Sequence, residues 1–141
     1  MVLFGVFSYA KAETARDKLN GSWAQEGETL NSPASAWSFG AYGDNMRVTQ
    51  TEGGKKIAEF KCDTKGAGCE VKIDGKKVIL AMWFNGEKLV QMETKGSDVV
   101  ERTFAILPEG DVMEVTINPI VPIGKTETIQ YKRVQPSAQG K

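Results

Sequence analysis

From residue 45 onward the chain is cut at short intervals by residue pairs that favour tight turns. "EGGK" stands at 52–55, "DG" at 74–75, "NG" at 85–86, "KGSD" at 95–98 and "PEGD" at 108–111. Asn-Gly, Asp-Gly and Gly-Gly pairs supply the positive φ angles that two-residue hairpin loops need. Between the turns lie runs rich in β-branched and aromatic residues: "MRVTQTE", "KKIAEFKC", "CEVKI", "KKVILAMWF", "KLVQMET", "DVVERTFAIL", "VMEVTIN" and "KTETIQYKRV". No helical period interrupts them. Hairpins in series make an antiparallel, up-and-down, all-β sheet. With roughly 8–10 strands such a sheet is expected to curl and close into a β-barrel, because closure removes unpaired edges.

The turns also set the register, and the register sorts the side chains by face. A loop at 74–75 pairs Val71 with Val78. One at 85–86 pairs Phe84 with Glu87 and Met82 with Leu89. Loops at 96–97 and 109–110 pair Gln91 with Arg102, Leu89 with Phe104, Phe104 with Val115, and Ile106 with Met113. One face then collects Val71, Ile73, Val78, Leu80, Met82, Phe84, Leu89, Val100, Phe104, Ile106, Met113, Val115 and Ile117, which is the expected interior. Gln91 and Arg102 fall on that face as a polar pair. Either they form a structural hydrogen bond with water, or Arg102 offers its planar fork to an anionic ligand head group. Glu93, two residues from Gln91 on the same face, competes for that fork. The opposite face carries Ile79, Trp83, Val90 and Met92, an apolar patch that either the segment "ASAWSFGAY" (34–42) covers or a second copy or other protein partner engages. The proline-containing stretch "NPIVPIG" (118–124) is expected to fold over one barrel end as a plug, or to frame a ligand portal.

Composition removes several function classes. The chain has 141 residues, enough for one domain with a real core, and 18 basic residues balance 18 acidic ones. That balance argues against a nucleic-acid or anionic-membrane partner held by bulk charge. Histidine is absent, which excludes Ser-His-Asp and Cys-His catalysis, and the two cysteines cannot alone fill a zinc site; no metal and no cofactor is implied. Residues 2–10, "VLFGVFSYA", followed by "AKA", resemble the end of a secretory signal and are too few to span a bilayer. The expected organisation is a truncated signal at 1–12, one barrel domain at 13–135 and a flexible tail at 136–141. Cys62 and Cys69 flank "DTKGAG", a glycine-containing loop that suits a disulfide in a periplasmic or secreted chain.

Gly21-Ser22-Trp23, at the head of the first strand, resembles the Gly-x-Trp motif of lipocalins and related calycins, including fatty-acid-binding proteins. From "GSW" to "YKRV" the chain looks most like small exported bacterial lipocalin-like proteins. The resemblance implies that Trp23 closes one barrel end and that Arg133, in "IQYKRV", packs across it. It also implies carboxylate-binding parts for Arg102 and Tyr131. The resulting expectation is a non-enzymatic binding protein for a small amphipathic or hydrophobic ligand, lined by Leu80, Met82, Phe84, Phe104, Met113 and Val115. The alternative is an envelope interaction or inhibitor module acting through the Trp83 patch. An enzyme using Glu59, Glu101 or Glu114 lacks a shared cleft on this face assignment, since Glu101 and Glu114 point outward.

Overall fold

The computed structural model describes residues 14–25 and 35–134; the signal-like segment 1–12 and the tail 136–141 lie outside them. A short helix α1 (Ala15–Leu19) precedes ten strands: β1 (Gly21–Gln25), β2 (Ser35–Tyr42), β3 (Asn45–Glu52), β4 (Lys55–Asp63), β5 (Cys69–Ile73), β6 (Lys76–Asn85), β7 (Lys88–Lys95), β8 (Asp98–Ile106), β9 (Val112–Val121) and β10 (Glu127–Arg133). Each strand pairs antiparallel with the next, and β1 pairs with β10, so the sheet closes into a barrel.

The turn chemistry explains the register. At the β5–β6 hairpin both loop residues adopt positive φ, Asp74 at 52° and Gly75 at 79°, and Ile73 pairs with Lys76 as expected. The Gly96-Ser97 loop and the 107–112 loop likewise give the expected pairs Gln91–Arg102, Leu89–Phe104, Phe104–Val115 and Ile106–Met113. One hairpin differs. Asn85 pairs with Lys88, and the loop is Gly86-Glu87, with Gly86 alone at positive φ (64°). Glycine in the first loop position suits a type II′ turn and moves the loop one residue along. Met82 therefore faces Gln91, and Phe84 faces Leu89. Because the slip changes each partner by two residues, every side chain keeps its face.

Two other expectations need correction. Residues 35–42 do not cover the Ile79–Trp83 patch. They form β2, a wall strand between β1 and β3, with Trp37 and Phe39 turned into the core. Its Ser, Ala and Gly content masked the period-two pattern of Trp37 and Phe39. Nor is "NPIVPIG" a plug. Residues 118–121 extend β9 along β8, with Val100 opposite Pro119 across a bulge at Val99/Val100, and only 122–124 turn. Pro119 is tolerated because the bulge breaks the ladder there.

α1 has its own signal: Thr14 and Asp17 form a reciprocal capping box. It lowers Leu19, 2% exposed, onto the barrel end where β1 begins. There Trp23 is fully buried, its Nε1 donates to the Leu19 carbonyl at 3.0 Å, and the Arg133 guanidinium stacks 4.2 Å over the indole. Trp23 and Arg133 are also direct register partners on β1 and β10. Arg133 donates from Nη2 to the Lys18 carbonyl (2.7 Å), from Nη1 to Asn20 (2.8 Å) and from Nε and Nη2 to Gly110 (3.3 and 3.2 Å). One planar fork thus ties the helix end, the first strand and the β8–β9 turn to the last strand.

The weakest seam lies between β4 and β5, where Ala58–Ile73 is the single register pair. At the far end of that seam Cys62 and Cys69 form a disulfide, with their Cα atoms 6.0 Å apart. The loop it bounds returns along β6: Lys65 bridges Trp83, and the Gly66 amide donates to the Met82 carbonyl at 2.9 Å.

Trp23→Ala should lower unfolding stability by about 3–5 kcal/mol in a denaturant titration, as large aromatic truncations do. Arg133→Lys should also destabilise, because a point charge cannot reach three carbonyls and stack at once; wild-type midpoints for both variants would contradict the closure. Replacing both cysteines by alanine should cost about 2.5 kcal/mol on the loop-entropy relation, and an unchanged midpoint would show the clip to be redundant.

Candidate functional site

The barrel has two unlike halves. Around Trp23 the inward side chains Met46, Val48, Leu80, Met82, Leu89, Phe104, Met113 and Val115 are all at 0–1% exposure. Trp37 stacks with Phe39 (centroids 6.2 Å apart), and both meet Phe104 edge-on at 5.0 and 5.3 Å, which carries an aromatic cluster across from β2 to β8. This half is packed core. Toward the opposite end, where the β3–β4, β5–β6, β7–β8 and β9–β10 turns lie, inward residues Ile73, Val100, Ile117 and Ile129 are only half-buried. The inner wall is less closely packed there.

At the boundary between the halves sits the polar group. Arg102 Nη1 donates to Glu93 Oε1 at 2.6 Å and to Gln91 Oε1 at 3.3 Å. Gln91 is 2% exposed, while the Arg102 and Glu93 side chains keep 19% and 14%. The three residues meet because β7 and β8 pair Gln91 with Arg102 directly and Glu93 with Val100 beside it. So Arg102 has a neutral orienting partner and a counter-charge, both from the neighbouring strand. Its Nε and Nη2 groups make no bond among the described residues.

The expected lining residues divide accordingly. Arg102 and Gln91 come together. Leu80, Met82, Phe104, Met113 and Val115 belong to the packed half, and Phe84 is half-buried near the closed end. Tyr131 is buried at 2%, and its hydroxyl bonds Ser35 Oγ at 2.9 Å, not Arg102. Trp37, Phe39 and Ser35 were not anticipated as interior groups, for the reason that hid β2. Trp37 carries a further peculiarity: its Nε1–H is buried without a hydrogen-bond partner among the described residues. On the outer face Val90 is buried, Trp83 and Met92 are half-buried, and Ile79 is 43% exposed. Of the carboxylates considered for catalysis, Glu114 accepts from Gln130 Nε2 at 3.0 Å, and a hydrogen bond from Lys56 holds the Glu59 carboxyl below its usual range. Glu101 lies on the outer face opposite Met92, so these three share no cleft. A separate cleft of about 510 Å³ at the closed end is lined by Lys18, Glu87, Pro108, Glu109 and Arg133, with Lys18 and Glu87 paired at 3.1 Å.

No family model matches the chain, and no curated protein matches it. Solved structures do. The chain is similar to a Schistosoma mansoni fatty-acid-binding protein in complex with arachidonic acid, with TM-score 0.71 and 18% identity over 86% of this chain and 99% of that one. It is also similar to fatty-acid-binding protein 1 of Echinococcus granulosus, with TM-score 0.70 and 12% identity over 84% and 99%. A third is secretory abundant heat soluble protein 4 of Ramazzottius varieornatus, with TM-score 0.67 and 16% identity over 84% and 96%. The chain therefore has the ten-stranded, closed antiparallel barrel fold of the fatty-acid-binding, calycin-like proteins.

Proposed function

We propose that this protein is an exported carrier of a small amphipathic or hydrophobic molecule, held in the half of the barrel away from Trp23. The observation that carries the reading is the Arg102–Glu93–Gln91 group, set on the inner wall beside half-buried aliphatic side chains. Ordering charges inside a barrel costs desolvation that an apolar filling would avoid. A ligand head group that needs donors there gives that cost a use. Half-buried Ile73, Val100, Ile117 and Ile129 suit an alkyl chain. The fold's presence in fatty-acid-binding structures supports the same reading. Export is supported by the signal-like sequence start and by the Cys62–Cys69 disulfide, since such bonds persist in oxidising compartments. The reading includes no chemical step: the barrel binds and releases.

The test is titration with the uncharged dye Nile red, followed by displacement with 12-carbon ligands. Saturable binding is expected, and Arg102→Ala should weaken the displacing ligands about tenfold, the worth of one charged hydrogen bond. Absence of saturable binding by the folded wild type would overturn the carrier reading. It would leave a filled barrel acting through its surface.

A further inference from the structure

We propose that the head group this site accepts is uncharged: a fatty alcohol, amide or ester in preference to a free fatty-acid anion. The inference rests on the carrier reading and narrows its ligand class.

The reason is charge balance. An interior arginine recruits a carboxylate when its own charge is unmet. Here Glu93 already meets it, at 2.6 Å from Nη1, and does so from inside the barrel. Among the described residues, the other charged groups in the inward register are Arg133, held at the closed end, and Glu52, Lys55, Lys76, Lys95, Asp98 and Glu127, exposed at strand ends toward the opposite end. Arg102 and Glu93 thus form a neutral unit on the inner wall. A second carboxylate bound to Nε and Nη2 would place two anions on one guanidinium. The inner wall would then hold a net negative charge in a place only 14–19% exposed. Both like-charge repulsion and desolvation oppose that arrangement. A hydroxyl or carbonyl oxygen can accept from the same two donors with no change in charge.

A second observation points the same way. Trp37 Nε1–H, on a side chain 3% exposed, has no acceptor among the described residues. Its ring touches Phe104, which lies two residues from Arg102 on the same face. An indole donor carries no charge: it can pair with a neutral oxygen, and it cannot neutralise a bound anion. Unpaired buried donors are rare because each forfeits a hydrogen bond, so this one marks a place where an acceptor is wanted. The inner wall therefore offers donors already neutralised by Glu93, beside apolar side chains.

The experiment compares dodecanol, lauramide and laurate as displacers of Nile red at pH 8, where laurate is ionised. Dodecanol and lauramide should bind the wild type at least tenfold more tightly than laurate. In Glu93→Gln, which leaves Arg102 with its charge unmet, laurate should gain at least tenfold relative to dodecanol. Laurate binding the wild type as tightly as dodecanol or more so would overturn the inference, and that ranking needs no variant. An unchanged ranking in a folded Glu93→Gln protein would overturn it too. If none of the three displaces the dye, the carrier reading itself fails, and the inference with it.

Discussion

The structure depends on one contact between the two ends of the chain: the Arg133 guanidinium lying 4.2 Å over the Trp23 indole. β1 is five residues long and β10 seven, and three register pairs join them, so backbone pairing alone is a thin closure. The side chains reinforce it. Trp23 fills the barrel end, and Arg133 covers its outer face while donating to carbonyls of α1's last turn, of Asn20 and of the β8–β9 turn. Stacking and planar donation require arginine, and the apolar area requires tryptophan. With this end sealed, the other half need not be tightly packed, and the polar group lies where the two halves meet.

The seam opposite the closure shows the same economy. β4 and β5 share a single register pair, yet the barrel remains continuous, because Cys62 and Cys69 join the strands and the loop between them pairs with β6 at Trp83. The loop also changes the meaning of the outer apolar residues. Trp83 is half-buried in the described chain with no second molecule present. An ideal Cβ at Gly68 would stand 3.4 Å from Ile79 Cγ2, so the loop passes close to that side chain as well. The element beside the patch is the disulfide loop, paired edge to edge with β6, and Ile79 stays 43% exposed.

Much of the fold was legible because hairpin turns act locally. Asp74-Gly75, Gly96-Ser97 and the 107–112 loop fixed partners that the structure reproduces, and the Gly86-Glu87 slip left every face unchanged. Cys62 with Cys69 could be paired from the chain as well, and Trp23 with Arg133 through the resemblance carried by Gly21-Ser22-Trp23. Three features were hidden for physical reasons. β2 is rich in Ser, Ala and Gly, so its strand character comes from its place between β1 and β3 and not from propensity. β9 runs on through Pro119 because a bulge frees that position from the ladder. α1 is five residues long, shorter than periodicity can reveal, and only its Thr14–Asp17 cap marked it. At the site, the alternation placed Arg102, Gln91 and Glu93 on one face. The division of the interior into a packed and an accessible half depends on how side chains from β2 and β8 meet across the barrel, which no local pattern encodes.

The central claim is that the Trp23 end holds the fold while the opposite half receives the ligand. Amide hydrogen exchange with and without dodecanol tests it most directly. The account predicts added protection in residues 91–93, 100–102 and 115–118, with β1 and the adjoining end of β10 already protected and unchanged. Added protection confined to residues around Trp23 and Arg133, or none anywhere at saturating ligand, would contradict it.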